Sequence, residues 1–488
     1  MGEYLLVIDE GTTSTRAMLF APDGACIASE SAPLDQKYPR SGWVEHDAAE
    51  IWRKTLRVTA AMVAQAGGAE RIAGIGITNQ RETVVFWDKH TGAPLAPAIV
   101  WQDRRTADWV RDQREAGREE WVQRRTGLLL DPYFSGSKIG WAMREWPDLA
   151  AAGDRLAIGT IDSWLIWNLT GGLHVTDATN ASRTALMRIE DGGWDDELIA
   201  LFGAPRAALP EIVDCAGRVG MTSAFGGAIA ITGIAGDQQA ASIGQACLLP
   251  GDTKATYGTG AFVLTQAGPS RPASDHRLLS TIAWQLDGKR HFALEGSVFV
   301  AGSLIQWLRD SLGLISHAGE TEALARSVES AGGVFVVPAL SGLGAPWWEP
   351  GARGAITGLS FASGKAHVAR AALEAMAHQT HDLMTAFAAD GQQWGRLKID
   401  GGMVANDWMA QDLADMLMLP VERPAFTETT ALGAAMLASV GAGLHADLTA
   451  ASVMRGKVET FEPQGGLSQR AERLAGWQRA VASVIAAI

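Results

Sequence analysis

Two short stretches dense in threonine and glycine constrain this chain more than anything else in it. The first, DEGTTSTR (Asp9–Arg16), lies between the strand-like YLLVID and RAMLF; the second, YGTGAF (Tyr257–Phe262), lies inside the strand–turn–strand TKATYGTGAFVLTQ. A tight turn between strands presents successive backbone N–H groups, a nest suited to an anion. In the first turn Thr12, Thr13 and Ser14 add hydroxyl donors, Arg16 adds a cation, and Asp9 is placed to hold Mg²⁺ through water. In the second, Gly258 and Gly260 let the backbone approach a ligand closely, and Thr259 offers a donor. Either turn alone reads equally well as a polar turn or a bulge. One opening each half implies a duplicated domain with a phosphate-bearing ligand held between the copies.

The rest of the chain agrees with a duplication. After Asp47 a helical period runs through AAEIWRKTLRVTAAMVAQA, with Ile51, Leu56, Met62 and Val63 on one face. IAGIGITN and TVVFWD follow as strands, so helices and strands alternate and the class is α/β. The pattern restarts near Gly251, and IAWQLDGKRHFALEG reads as a hairpin with a DG turn. A length of 488 residues also favours two large domains, with the break at LLPGD near residues 245–252. The expected domains are 1–248 and 249–488.

Composition excludes several classes. A net charge of −13 argues against a nucleic-acid surface, though not against a phosphorylated ligand in a local site. Cys26, Cys215 and Cys247 form no CxxC pair, which fits a reducing cytoplasm and gives no cysteine-based zinc site. The first residues carry no signal-like pattern, and the apolar run 431–444 is too short and glycine-rich to span a membrane. The expectation is a soluble cytoplasmic protein. The P-loop pattern GxxxxGK[ST] and a dinucleotide GxGxxG after a strand are both missing.

Two further segments carry chemistry. DGGMVAND (Asp400–Asp407) sets two glycines before a helix whose N-terminus suits a nucleotide, and Gly402 leaves room for a flat adenine. In GIAGDQQAA, Asp237 falls just before a helix and reads either as an N-cap or as a carboxylate placed to accept a proton.

With these segments stand YPRSGWVEHD (38–47), GITNQRET (76–83), IVWQDRRT (99–106), TGLLLDPYFSGSK (126–138), TNASRT (179–184), LGAPWWEPGARGAI (343–356) and TALGAAMLA (430–438). So many matches in one order make the chain resemble the FGGY family of carbohydrate kinases nearly end to end. The resemblance implies an actin-like ATPase (ribonuclease H-like) fold: two related domains, each on a mixed five-stranded sheet, around a deep cleft. It implies phosphorylation of a polyol by ATP and Mg²⁺, with glycerol as the small-molecule partner and sn-glycerol 3-phosphate as product, in a homodimer or homotetramer.

Residue by residue, the resemblance makes Asp237 the catalytic base, with Mg²⁺ contact at Asp237 as well as Asp9. It gives the polyol Arg81, Glu82, Trp101, Tyr133, Gln238 and Phe262. ATP takes Thr12, Thr13, Ser14, Arg16, Thr259, Gly302, Gln306, Gly402 and Asn406. Arg81 and Glu82 are neighbours, so both reach one ligand only if the chain leaves regular strand there. The helix N-terminus is expected to keep Asp237 ionised and a modest base. The rival readings are a kinase for erythritol or a ketopentose, and an actin- or Hsp70-type ATPase scaffold.

Two departures from the family pattern stand out. Position 10 is Glu where Gln is commoner, a second carboxylate that must point away from the phosphates or join the Mg²⁺ shell. The segment 222–233 is shorter than the loop that binds fructose 1,6-bisphosphate in regulated relatives, and it carries no basic residue. The histidine that is phosphorylated in some Gram-positive relatives has no counterpart there either. Turnover measured with and without millimolar fructose 1,6-bisphosphate is therefore expected to be the same; clear inhibition would refute this.

Overall fold

The computed structural model describes residues 2–488. Its first sheet begins as an antiparallel meander of Tyr4–Glu10, Ser14–Phe20 and Cys26–Pro33. Ile72–Asn79 then pairs parallel with Tyr4–Glu10, and Ile229–Gly236 parallel with Ile72–Asn79. The second sheet repeats that plan. Thr253–Tyr257, Ala261–Gly268 and Lys289–Val298 form the meander, and Leu397–Asp400 and Val421–Pro424 add in parallel. The duplication implied by the two Thr/Gly turns is thus present strand for strand.

Each sheet is wider than the five strands expected. Ala216–Thr222 extends the first to six; Leu279–Leu286 and Val458–Phe461 extend the second to seven. All three additions are antiparallel edge strands, so the repeated five-strand core is intact beneath them. The turn of the 279–298 hairpin is Asp287–Gly288, both with positive φ as a two-residue hairpin loop requires.

Local sequence explains the elements that frame the site. The helix Ala48–Ala66 starts where Asp47 accepts the Ala49 and Glu50 amides and ends at left-handed Gly67. It buries Ile51, Val58, Met62 and Val63 on the first sheet, whereas Leu56, expected on that face, lies at its margin. The apolar run that was too short for a membrane forms the helix Thr429–Gly441, buried almost all round. No helix among the described residues is long and apolar enough to cross a membrane.

The helix Thr429–Gly441 lies with Asp237–Gly244 between the two sheets. One apolar cluster joins Leu5 and Val7 of the first sheet, Ala240 and Ile243 of one helix, Leu432 and Met436 of the other, and Leu264 and Ala293 of the second sheet. Small residues allow that approach. A Cβ on Gly433 would lie 1.8 Å from the Ala240 carbonyl oxygen, and one on Gly76 would lie 2.4 Å from the Ala434 carbonyl oxygen. Both obstacles are backbone, so neither yields cheaply. Gly433→Ala is expected to cost roughly 1–3 kcal/mol, as overpacked cores do, and to lower the melting temperature in a thermal denaturation series. An unchanged melting temperature would mean that the two helices separate freely.

Candidate active site

The strand Ile72–Asn79 ends one residue before Gln80, and the chain then turns sharply. Glu82 has φ 62°, a left-handed backbone uncommon for a non-glycine residue. This is the departure from regular strand that the neighbours Arg81 and Glu82 needed to serve one site. Both side chains are buried. The Arg81 Nη1 and Nη2 donate to Glu295 Oε2 and Oε1 at 2.6 and 3.1 Å, and Nη2 also donates to the Tyr133 hydroxyl at 3.2 Å. The remaining edge, Nε, lies 3.3 Å from Asp237 Oδ1 and 3.8 Å from Glu82 Oε1.

Asp237 is not a cap. The helix begins at Asp237 itself with Gly236 in the cap position, and the Asp237 carboxylate accepts only the adjacent Gln238 amide, at 2.7 Å. Its side chain keeps about a third of its exposure. The expectation that the helix N-terminus dominates its ionisation needs correction. Burial raises the Asp237 pKa above the ordinary aspartate value, Arg81 and Lys254 pull it back, and Glu295 pushes it up.

Aromatic rings wall the same place. Trp101 meets Tyr133 edge-on at 5.6 Å and Phe262 at 6.3 Å between centroids, and Arg81 lies 6.0 Å from the Phe262 ring centre. The Trp101 indole donates to the Thr12 hydroxyl at 2.9 Å, which ties this wall to the first Thr/Gly turn. Gln238 Oε1 accepts from the buried Lys254 ammonium, leaving its amide N–H groups for another partner. Arg81, Glu82, Trp101, Tyr133, Asp237, Gln238 and Phe262 therefore gather in one cluster around the Arg81 side chain.

The expected nucleotide residues fall into two groups. Thr259, Gly302, Gln306, Gly402 and Asn406 all line one cavity of about 370 Å³. A Cβ on Gly402 would meet nothing within 4 Å, so space is open there. The two glycines do not lead straight into a helix: a 3₁₀ turn, Gly402–Ala405, intervenes. Asn406 is the cap of Asp407–Leu417, accepting the Met409 amide.

The second group, Asp9, Thr12, Thr13, Ser14 and Arg16, belongs to the turn of the first sheet. Asp9 pairs across it with Arg16, which also reaches Glu428 at 2.5 Å. Burial pushes the Asp9 pKa up to about 7; Arg16 opposes this, while Glu428 and Asp237 add to it. The departure at position 10 is resolved by direction. Glu10 is fully buried, its Oε2 accepts from Thr55 under the helix Ala48–Ala66, and burial raises its pKa to about 8 despite the Thr15 and Thr55 hydroxyls. It is a neutral acid pointing into the core.

Arg183, Glu295, Lys254 and Gln239 escape local sequence reading. Arg183 sits inside the TNASRT motif, but its partners Glu82 and Glu295 lie 101 and 112 positions away. Glu295 is one position in a strand that reads only as half of a hairpin.

Comparison with known proteins decides the family. The profile of the FGGY family of carbohydrate kinases matches at residues 4–244 for its N-terminal domain and 253–442 for its C-terminal domain. The chain belongs to the FGGY family of carbohydrate kinases. It is 51% identical to the glycerol kinase of Methylobacterium nodulans over 495 residues, covering 99% of each chain. Against the glycerol kinase of Alcanivorax borkumensis it is 52% identical, covering 99% of this chain and 98% of that one. Among solved structures it resembles Plasmodium falciparum glycerol kinase with ADP, with TM-score 0.92, 34% identity and 99% of each chain covered. The xylulose kinase of Rhodospirillum rubrum superposes with TM-score 0.85 at 26% identity, covering 99% of this chain and 98% of that one. The fold of this FGGY kinase is that of the actin-like ATPases.

Glu10 has a consequence for stability. The folded chain keeps a proton on Glu10 that the unfolded chain releases in the ordinary carboxylate range. Stability therefore falls as pH rises from that range towards about 8. Glu10→Gln keeps the shape without the titration. Urea unfolding of the two proteins across that range is expected to show the variant gaining relative stability as pH rises; parallel pH profiles would contradict the burial of a neutral Glu10.

Proposed function

We propose that this chain transfers the γ-phosphoryl group of ATP to glycerol, giving sn-glycerol 3-phosphate and ADP. One observation carries the reading: the Nε edge of Arg81 and the carboxylate of Asp237 meet at 3.3 Å beside Glu82, next to the rings of Trp101, Tyr133 and Phe262. A short triol has an apolar edge and several hydroxyls, each both donor and acceptor. Arg81 and the Gln238 amide donate, Glu82 and Asp237 accept, and Trp101 and Phe262 cover the carbons.

In this reading residues 1–248 carry the polyol pocket, the first phosphate turn and the base, and residues 249–488 the second phosphate turn and the adenosine site. A cavity of about 370 Å³ is within the usual range for a small-molecule site. Adenosine occupies it beside Gly402, Gln306 and Asn406, with Gly302 and Thr259 leading the phosphates towards Thr12, Thr13, Ser14 and Arg16. The acceptor hydroxyl oxygen bonds to the γ-phosphorus as the bond to the ADP oxygen breaks, and Asp237 takes the hydroxyl proton. Positioning and charge neutralisation do most of the work in such transfers. Asp9 and Asp237 would hold Mg²⁺, a hard divalent cation, because burial and the Asp237 carboxylate both raise the cost of charge on Asp9, which a cation would lower. Held there, it would neutralise phosphate charge. The setting is the cytoplasm, which the three free thiols suit.

A competing acceptor separates this reading from its rivals. ADP release is expected to be strong with glycerol, weaker with erythritol or xylulose, and near background without an acceptor. Asp237→Ala should lower the glycerol-dependent rate by roughly 10²–10⁴-fold. Because Asp237 must be ionised to act and its pKa is raised, activity should fall on the acid side above the ordinary aspartate range. A preference for a longer polyol would overturn the substrate, and a rate unmoved by Asp237→Ala would overturn the base.

A further inference from the structure

The polyol pocket rests on a buried ionic lattice that joins the two halves of the fold. Glu295 lies on Lys289–Val298 of the second sheet and is fully buried. Arg81 follows a first-sheet strand, and Arg183 follows the short helix Ala178–Ala181. Glu295 Oε2 accepts from Arg81 Nη1 at 2.6 Å, while its Oε1 accepts from Arg81 Nη2 at 3.1 Å, Arg183 Nη2 at 2.9 Å and the Ser297 hydroxyl at 3.4 Å. Arg183 Nε donates to Glu82 Oε1 at 2.7 Å. Two guanidinium groups and two carboxylates thus neutralise one another in the buried interior.

We infer that Glu295 and Arg183 are positioning residues for the phosphoryl acceptor. Glu295 grips both η nitrogens of Arg81 from the opposite sheet, so that only the Nε edge is left to face Asp237, and Arg183 fixes Glu82 beside it. This rests on the proposed kinase reaction. A forked carboxylate fixes the plane of a guanidinium as a single contact does not. Burial would raise the Glu295 pKa, but Arg183 and Arg81 outweigh it and hold the group ionised, at about 2.

Glu295→Gln removes the charge and keeps the size. In steady-state kinetics the variant is expected to raise the glycerol KM about tenfold or more, the loss expected from a charge-assisted hydrogen bond, while the ATP KM stays within about twofold. A merely structural role would weaken ATP and glycerol alike. Breaking a buried ion pair can prevent folding, so Glu295→Asp provides the second arm. It keeps the charge but shortens the reach, and should likewise raise the glycerol KM more than the ATP KM. An unchanged glycerol KM in both variants, or equal losses for ATP and glycerol, would overturn the inference. Absence of glycerol-dependent turnover in the unsubstituted protein would instead overturn the kinase reading itself.

Discussion

A buried guanidinium must be neutralised where it stands, and in this protein Arg81 is neutralised from the other half of the chain. Glu295 lies 214 positions away and belongs to the second sheet. Removing either partner would unbalance a buried group of two guanidiniums and two carboxylates, a situation that costs several kcal/mol. The pairing therefore requires the two sheets to be together before the pocket exists. Glu82, Tyr133 and Asp237 all lie against Arg81, so the geometry of the proposed acceptor site depends on that long-range contact.

The approach of the sheets is set by small side chains. The helices Asp237–Gly244 and Thr429–Gly441 pass so closely at Gly433 that backbone faces backbone. This brings the start of the first helix, and with it Asp237, against Arg81 of the first half and near Lys254 of the second sheet. The same placement gives Asp237 its character. Desolvation raises its pKa, two cations pull it down, and the result is a stronger base than an exposed aspartate. The cavity of about 370 Å³ is lined by residues of the second half, so in the proposed reaction the nucleotide and the acceptor bind on different sides of the site.

Much of this is legible in the sequence because it is local. The two Thr/Gly turns announced a duplicated α/β fold, and the helical period read after Asp47 is the helix Ala48–Ala66. The kink at Glu82 followed from needing two neighbouring side chains in one pocket. What escaped depends on distance. Nothing near Glu295 or Arg183 in the chain marks them as partners of Arg81 and Glu82, since their meaning lies in contacts across a hundred residues or more. The role of Asp237 as a cap was the natural local reading, and it failed because Gly236 takes the cap position. Likewise the sign of Glu10 could not be read from its neighbours: whether a carboxylate beside a phosphate turn repels ATP depends on which way the strand faces, and here it faces Thr55.

The central claim is that two halves of one fold bring ATP and a triol together so that the phosphoryl group passes between them rather than to water. The most direct test follows the label from ATP carrying a marked γ-phosphorus, with glycerol present and absent. With glycerol the label is expected in glycerol phosphate in step with ADP, and without it little is released. Label appearing as inorganic phosphate at a rate indifferent to glycerol would contradict it.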